Sequence, residues 1–120
     1  MKYRILMAAA TFLSSPAVAH HGWSWAEDRQ SEVTGTIQDI YIGPPHPRLQ
    51  VETADGTWTV ELGNPTQTER AGFTEGSAKT GDQITVTGNT PAEGNEKRIK
   101  AVKINVGGKD FVFYPERVKQ

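Results

Sequence analysis

From residue 32 to residue 114 the apolar positions recur with period two, interrupted by short clusters of glycine, proline, asparagine and aspartate. Side chains on a strand point alternately to its two faces, so this pattern predicts successive strands with one face buried. Val33, Gly35 and Ile37 alternate before Ile40 and Ile42 change phase, which predicts one long strand over 32–42 with a bulge near Asp39. Gly43-Pro44-Pro45-His46-Pro47 has three prolines without backbone donors and cannot be helix interior or central strand, so it is expected to be a stiff loop presenting His46. Leu49, Val51 and Thr53 alternate, Asp55-Gly56 supplies a turn, and Trp58, Val60 and Leu62 complete a hairpin. Asn64 and Pro65 are a natural N-cap and first residue of a short helix over 66–71, and Gly72 ends it. Strands are then expected over 83–89, 98–106 and 109–114, with a polar loop over 90–97 and a tight turn at Gly107-Gly108.

Three strands, a short helix and two or three further strands fit a small OB-like barrel of five or six strands, all-β apart from the helix between strands three and four. An open α+β sheet is the competing architecture. At 120 residues the chain suits one domain. Its ordinary balance of 36% hydrophobic and 22% charged residues excludes a disordered or collagen-like chain.

The N-terminus changes the picture. Lys2 and Arg4 precede an apolar run from Ile5 to Leu13, and Ala17-Val18-Ala19 places small residues where signal peptidase reads. Residues 1–19 therefore read as a signal peptide. The mature chain would comprise an N-terminal segment over 20–31, the barrel over 32–114 and a tail over 115–120, in the periplasm or secreted. Its apolar run is too short for a membrane span, and no transmembrane segment follows in the mature chain. Cleavage removes two basic residues and no acidic one, leaving eleven against fourteen and a net charge of −3. An acidic domain without a basic cluster is a poor partner for phosphates, so nucleic acid is not expected. There is no cysteine, and hence neither disulfide nor thiolate metal site.

Cleavage would also make new chemistry. It frees the α-amine of His20, which together with its own imidazole can chelate a metal ion, while His21 and His46 offer further nitrogens. Neutral amine and imidazole donors favour copper(II) among first-row metals, with nickel and zinc behind it. Opposed to this, the two terminal histidines are a solvated tail and His46 fills a turn. Trp23 and Trp25 fall on one face of an extended segment, where they either contact a ligand or anchor the terminus against the barrel. Glu27, Asp28, Glu32, Glu61 and Asp82 read as solvated surface charge. No cysteine nucleophile, Gly-x-Ser-x-Gly elbow or phosphate loop is present, which argues against an enzyme.

Ala19-His20-His21-Gly22, the strand Val33-Thr34-Gly35-Thr36-Ile37, Pro45-His46, Trp58 to Pro65, Arg70-Ala71-Gly72-Phe73 and Gly81 to Gly88 together resemble an exported bacterial family, domain of unknown function 6152. The resemblance implies an exported OB-like domain and no defined activity. The family's usual Asn-Pro-His stands here as Pro44-Pro45-His46, without the asparagine that could support the loop imidazole. Three functions follow from these residues. The first is a periplasmic copper-binding protein serving as carrier, chaperone or sensor, with His20, His21 and His46 as ligands. The second is a non-metal ligand- or protein-binding module using Trp23 and Trp25, with a periplasmic protein as partner. A copper oxidase ranks third, because so small a domain offers little surface to grip a substrate.

Overall fold

A computed structural model describes residue 23 and residues 25–92 and 95–119. The proposed signal peptide, His20 and His21 lie outside them. The order is β1 (Ala26–Tyr41), β2 (Arg48–Thr53), β3 (Gly56–Glu61), α1 (Pro65–Arg70), β4 (Gln83–Pro91), β5 (Arg98–Val106) and β6 (Lys109–Val112), then a 3-10 turn at Pro115–Arg117.

Five strands close into a barrel in the order β3-β2-β1-β4-β5, with β5 returning to β3 in parallel and β6 added to β5. The architecture is the OB-like barrel with a lone short helix between β3 and β4. Closure rests on three pairs, Thr59 with Arg98, Val60 with Ile99 and Glu61 with Lys100. One row can be followed around the wall through Tyr41, Arg48, Glu61, Lys100 and Asn89. It returns to β1 at Gln30 instead of at Tyr41, so the strands are staggered and tilted, as closure of a small barrel demands.

The hydrophobic pattern explains the core. Leu49, Val51, Val60, Ile84, Val86, Ile99 and Ile104 alternate with outward positions and are fully buried, joined by Ile37, Leu62 and Phe73. The phase change in β1 is a real irregularity, lying between Ile37 and Asp39 against β2. Asn64 accepts from the Gln67 amide at 2.7 Å while the Gln67 side chain accepts from the Asn64 amide at 3.1 Å, a capping box that fixes the start of α1. Phe73, just beyond α1, meets Phe111 edge to face at a centroid distance of 5.1 Å and closes this end of the barrel. Gly107 and Gly108 both take positive φ, 62° and 85°, as a two-residue hairpin requires.

Three details depart from the expected pattern. β1 begins at Ala26, well before residue 32, because β4 supplies backbone partners for its polar first half. β6 stops at Val112, where the chain turns so that the Phe113 and Tyr114 amides both donate to the Val102 carbonyl. Residues after 114 are also engaged: Val118 packs on the core, and the Arg117 carbonyl accepts from Gln30 Nε2 at 2.7 Å.

Candidate functional site

Trp23 and Trp25 lie two residues apart, and so do Arg98 and Lys100 on the outer face of β5. The structure matches the pairs. Arg98 Cζ lies 3.7 Å from the Trp25 ring centroid, and Lys100 Nζ lies 5.7 Å from that of Trp23. Tyr114 meets Trp23 edge to face at 5.0 Å, and the Arg117 guanidinium lies 3.8 Å from the Trp23 ring centroid. Backbone bonds fix the same segment, from the Ala26 amide to the Trp23 carbonyl at 3.0 Å and from the Ala92 amide to the Trp25 carbonyl at 3.2 Å. Trp23 is buried and Trp25 half-buried, so both rings are engaged with the barrel.

Beneath them lies Lys100, only 3% exposed. Its Nζ donates to the Leu62 carbonyl at 3.3 Å, stands 3.9 Å from Glu61 Oε1, and lies 5.6 Å from the Tyr114 ring centroid. Glu61 also faces Arg98 at 3.6 Å, and Arg98 reaches Glu96 at 3.0 Å. Glu61, expected as solvated charge, therefore bridges two cations in the seam that closes the barrel. Desolvation holds the Lys100 pKa below its usual 10.5, opposed by the attraction of Glu61 and reinforced by Arg98. Burial raises the Tyr114 phenol above 10.0.

The sign for stability follows from proton counting. Between the depressed Lys100 value and 10.5 the unfolded chain binds more protons, so this group makes the fold more stable as pH rises through that window. Tyr114 acts oppositely above 10.0. Lys100→Met is expected to flatten the rise and, at pH 7, to lower stability by about 1–3 kcal/mol, since it removes one partner only, leaving Glu61 to Arg98 alone and taking the ammonium from the Leu62 carbonyl. Urea denaturation of both proteins between pH 7 and 9.5 checks this. Unchanged stability at pH 7 would show that Glu61 and the Leu62 carbonyl do not depend on the ammonium.

His46 is exposed on the loop between β1 and β2. Tyr41 Oη donates to the Pro44 carbonyl across this loop, and Arg48 lies over the Tyr41 ring at 4.6 Å. The Leu62 amide donates to the Pro47 carbonyl at 3.0 Å. A continuous set of contacts thus runs from Trp23 through Lys100 and Leu62 to Pro47, the neighbour of His46. Pairing register gives the same answer: Arg48 pairs with Glu61 and Glu61 with Lys100, so the loop begins two strands from β5, roughly 10 Å across the sheet. His20 is three residues from Trp23, a covalent reach of at most about 10 Å. Among the described residues no group of three or more histidine, aspartate or glutamate side chains is placed to hold a metal ion.

The residues missed from sequence are Lys100, Arg98 and Arg117. Their only sequence signal is the equal spacing of Trp23-x-Trp25 and Arg98-x-Lys100, which acquires meaning once β5 and the N-terminal segment are known to be adjacent.

Solved structures similar to the chain include apo TiaS (tRNAIle2 agmatidine synthetase), with a TM-score of 0.50 and 21% identity over 65% of this chain and 18% of that one. The ZRD-deleted mutant of TiaS in complex with agmatine gives the same TM-score and identity, covering 65% of this chain and 21% of that one. The chain spans about a fifth of those proteins' length, and similarity at this identity concerns the fold alone. No curated protein matches the sequence. The family model does match, over residues 9–100, which is most of the chain: the chain belongs to DUF6152, a family of unknown function.

Proposed function

We propose that this protein is a periplasmic metal-binding protein that takes copper(II) through the freed α-amine and imidazole of His20, with His21 and His46 as further ligands. The observation that carries this reading is the double tryptophan anchor. By fastening Trp23 and Trp25 to β5, it keeps the terminus within covalent reach of the barrel end on which the His46 loop sits. Without such an anchor, joining a terminal chelate to a loop imidazole would carry the full entropic cost of ordering a free tail.

Electrostatics favours the same arrangement. With the amine and three imidazoles all protonated the ligand set carries four positive charges, whereas copper(II) brings two. Lys100 and Arg117 beside Trp23 therefore oppose the protonated terminus more than the metal-loaded one. The role that fits is carrier, chaperone or sensor, with the barrel as a rigid platform.

The test is titration of copper(II) into protein beginning at His20, followed by calorimetry and visible absorption. Saturable binding of one equivalent is expected, weakening at least tenfold between about pH 7.5 and 5.5 as the amine and imidazoles take up protons. His46→Ala is expected to keep the stoichiometry and lose affinity. No saturable binding by the processed protein would overturn the function, and unchanged affinity in His46→Ala would remove the loop from the site.

A further inference from the structure

The end of the barrel opposite α1 is open. A cavity of about 410 Å³ lies there, bounded by β1, the β2–β3 turn, the end of β4 and the β4–β5 loop. Its size falls within the range of small-molecule sites. Val33 and Trp58 supply apolar surface. Trp58 pairs with the fully buried Val51 and so points to the same side of the sheet, toward the barrel interior, yet it remains half-exposed at the mouth. Three separate segments add carboxylates at the rim, Glu32, Asp55 and Glu96, and among the described residues no lysine, arginine or histidine lines the cavity.

These carboxylates are not equivalent. Glu96 is paired with Arg98 at 3.0 Å. Asp55 is fixed by its own turn: Oδ1 accepts from Thr53 Oγ1 at 2.7 Å and from the Trp58 indole Nε1–H at 3.3 Å. The second bond orients the indole as well as the carboxylate, so an aromatic ring and a negative charge are held together at the mouth. Hydrogen bonds from Thr53 and then Trp58 keep the Asp55 carboxyl more acidic than usual, with Lys97 contributing least.

We infer that this mouth binds a small organic ammonium compound, its alkyl portion against Trp58 and Val33 and its charge shared between Asp55 and Glu32. A ring face attracts a cation through its quadrupole, and an alkylammonium also buries apolar surface there, which a compact hydrated metal ion cannot do. A metal would require a convergent ligand set, and among the described residues none exists here. Nucleic acid is excluded by the sign of the charge. This site involves none of the histidines and is independent of copper binding.

The experiment is a titration of metal-free processed protein with spermidine at low ionic strength, followed by tryptophan fluorescence and by amide chemical shifts. Saturable shifts centred on residues 31–34, 53–58, 90–91 and 96 are expected, weakened about tenfold in Trp58→Leu and in Asp55→Asn, with Trp58→Phe intermediate. Glu32→Gln, an exposed position, serves as a variant whose folding is not at risk, and it too should weaken binding. Magnesium chloride at equal charge distinguishes recognition from screening. Shifts reproduced by magnesium, or spermidine binding unaffected by both Asp55→Asn and Glu32→Gln, would overturn the inference whatever the outcome with copper.

Discussion

Processed protein that retains Ala17-Val18-Ala19 ahead of His20 is expected to bind copper(II) more than about 100-fold less tightly than protein beginning at His20. The bound is conservative, since loss of a group that merely supports a metal ligand already costs about 10–100-fold, and here a ligand and its chelate ring go together. With the tripeptide present, the His20 nitrogen is an amide and no longer a free amine, and the four groups that made up the site are reduced to three isolated imidazoles. Three residues are needed for a clean result. Leaving one or two would place a histidine third from the new amine, where the amine, two amide nitrogens and that imidazole form a different copper chelate. Calorimetry in competition with a chelator of known affinity reads the difference. Equal affinity in the two proteins would show that the amine is not a ligand and would reduce the site to its imidazoles. A circular dichroism melt on each metal-free sample separates this from a folding effect, which is not expected because the anchors at Trp23 and Trp25 are present in both.

Much of the barrel was legible because its core obeys a period of two. Leu49 and Val51, Trp58 and Val60, Ile84 and Val86 each announce a strand with one buried face, and Asn64-Pro65 and Gly107-Gly108 carry local signals for a helix start and a hairpin turn. The bulge was legible for the same reason, since it shifts the apolar phase between Ile37 and Ile40. The first half of β1 was not. Residues 26–31 are mainly polar and have no alternation of their own, and they are strand because β4 offers them a backbone edge, with Gln30 opposite Asn89 and Ser31 opposite Gly88. Strand ends are likewise decided by distant partners, as the Val102 carbonyl decides where β6 stops.

The candidate sites divide along the same line. Anchoring was one of the two roles the Trp23-x-Trp25 spacing allowed, although the segment is a turn closed by the Ala26 amide on the Trp23 carbonyl and not the extended run from which a shared face was expected. That the surface receiving them carries Arg98 and Lys100 depends on barrel closure, a parallel contact between β3 and β5 that no local pattern reveals. Lys100 illustrates the limit most clearly. A lysine in an alternating strand reads as solvent-facing, and it does lie on the outer face of β5, but Trp23 and Tyr114 cover that face at this point. The acidic mouth is similar: Glu32, Asp55 and Glu96 are far apart in sequence, and only the stagger of the barrel brings them to one rim.

Gly88→Ala is expected to destabilise the protein by about 3 kcal/mol or more, at the upper end of what overpacking costs. A β-carbon at residue 88 would lie 2.1 Å from the Lys100 carbonyl oxygen, 2.8 Å from its carbon and 2.9 Å from Ala101 Cα. All three are backbone atoms, so no rotamer change can relieve the contact. The pairing of β4 with β5 is irregular at this point, between Thr87 and Gly88, and the close approach of the two backbones is how the barrel turns there. Accommodating a methyl group means pushing Lys100 away from β4. Lys100 also belongs to the three-pair seam with β3, so the strain falls on the contact that closes the barrel and on the surface that anchors Trp23. For a domain of about 100 residues such a loss lowers Tm by roughly 12–24 °C, readable in a circular dichroism melt. The metal-free variant should also lose some of the burial of Trp23, seen as a red shift of tryptophan emission at temperatures below the transition. Melting at the wild-type temperature would mean that β4 and β5 do not approach this closely, and the account of how Lys100 and the N-terminal anchor are positioned would have to be given up with it.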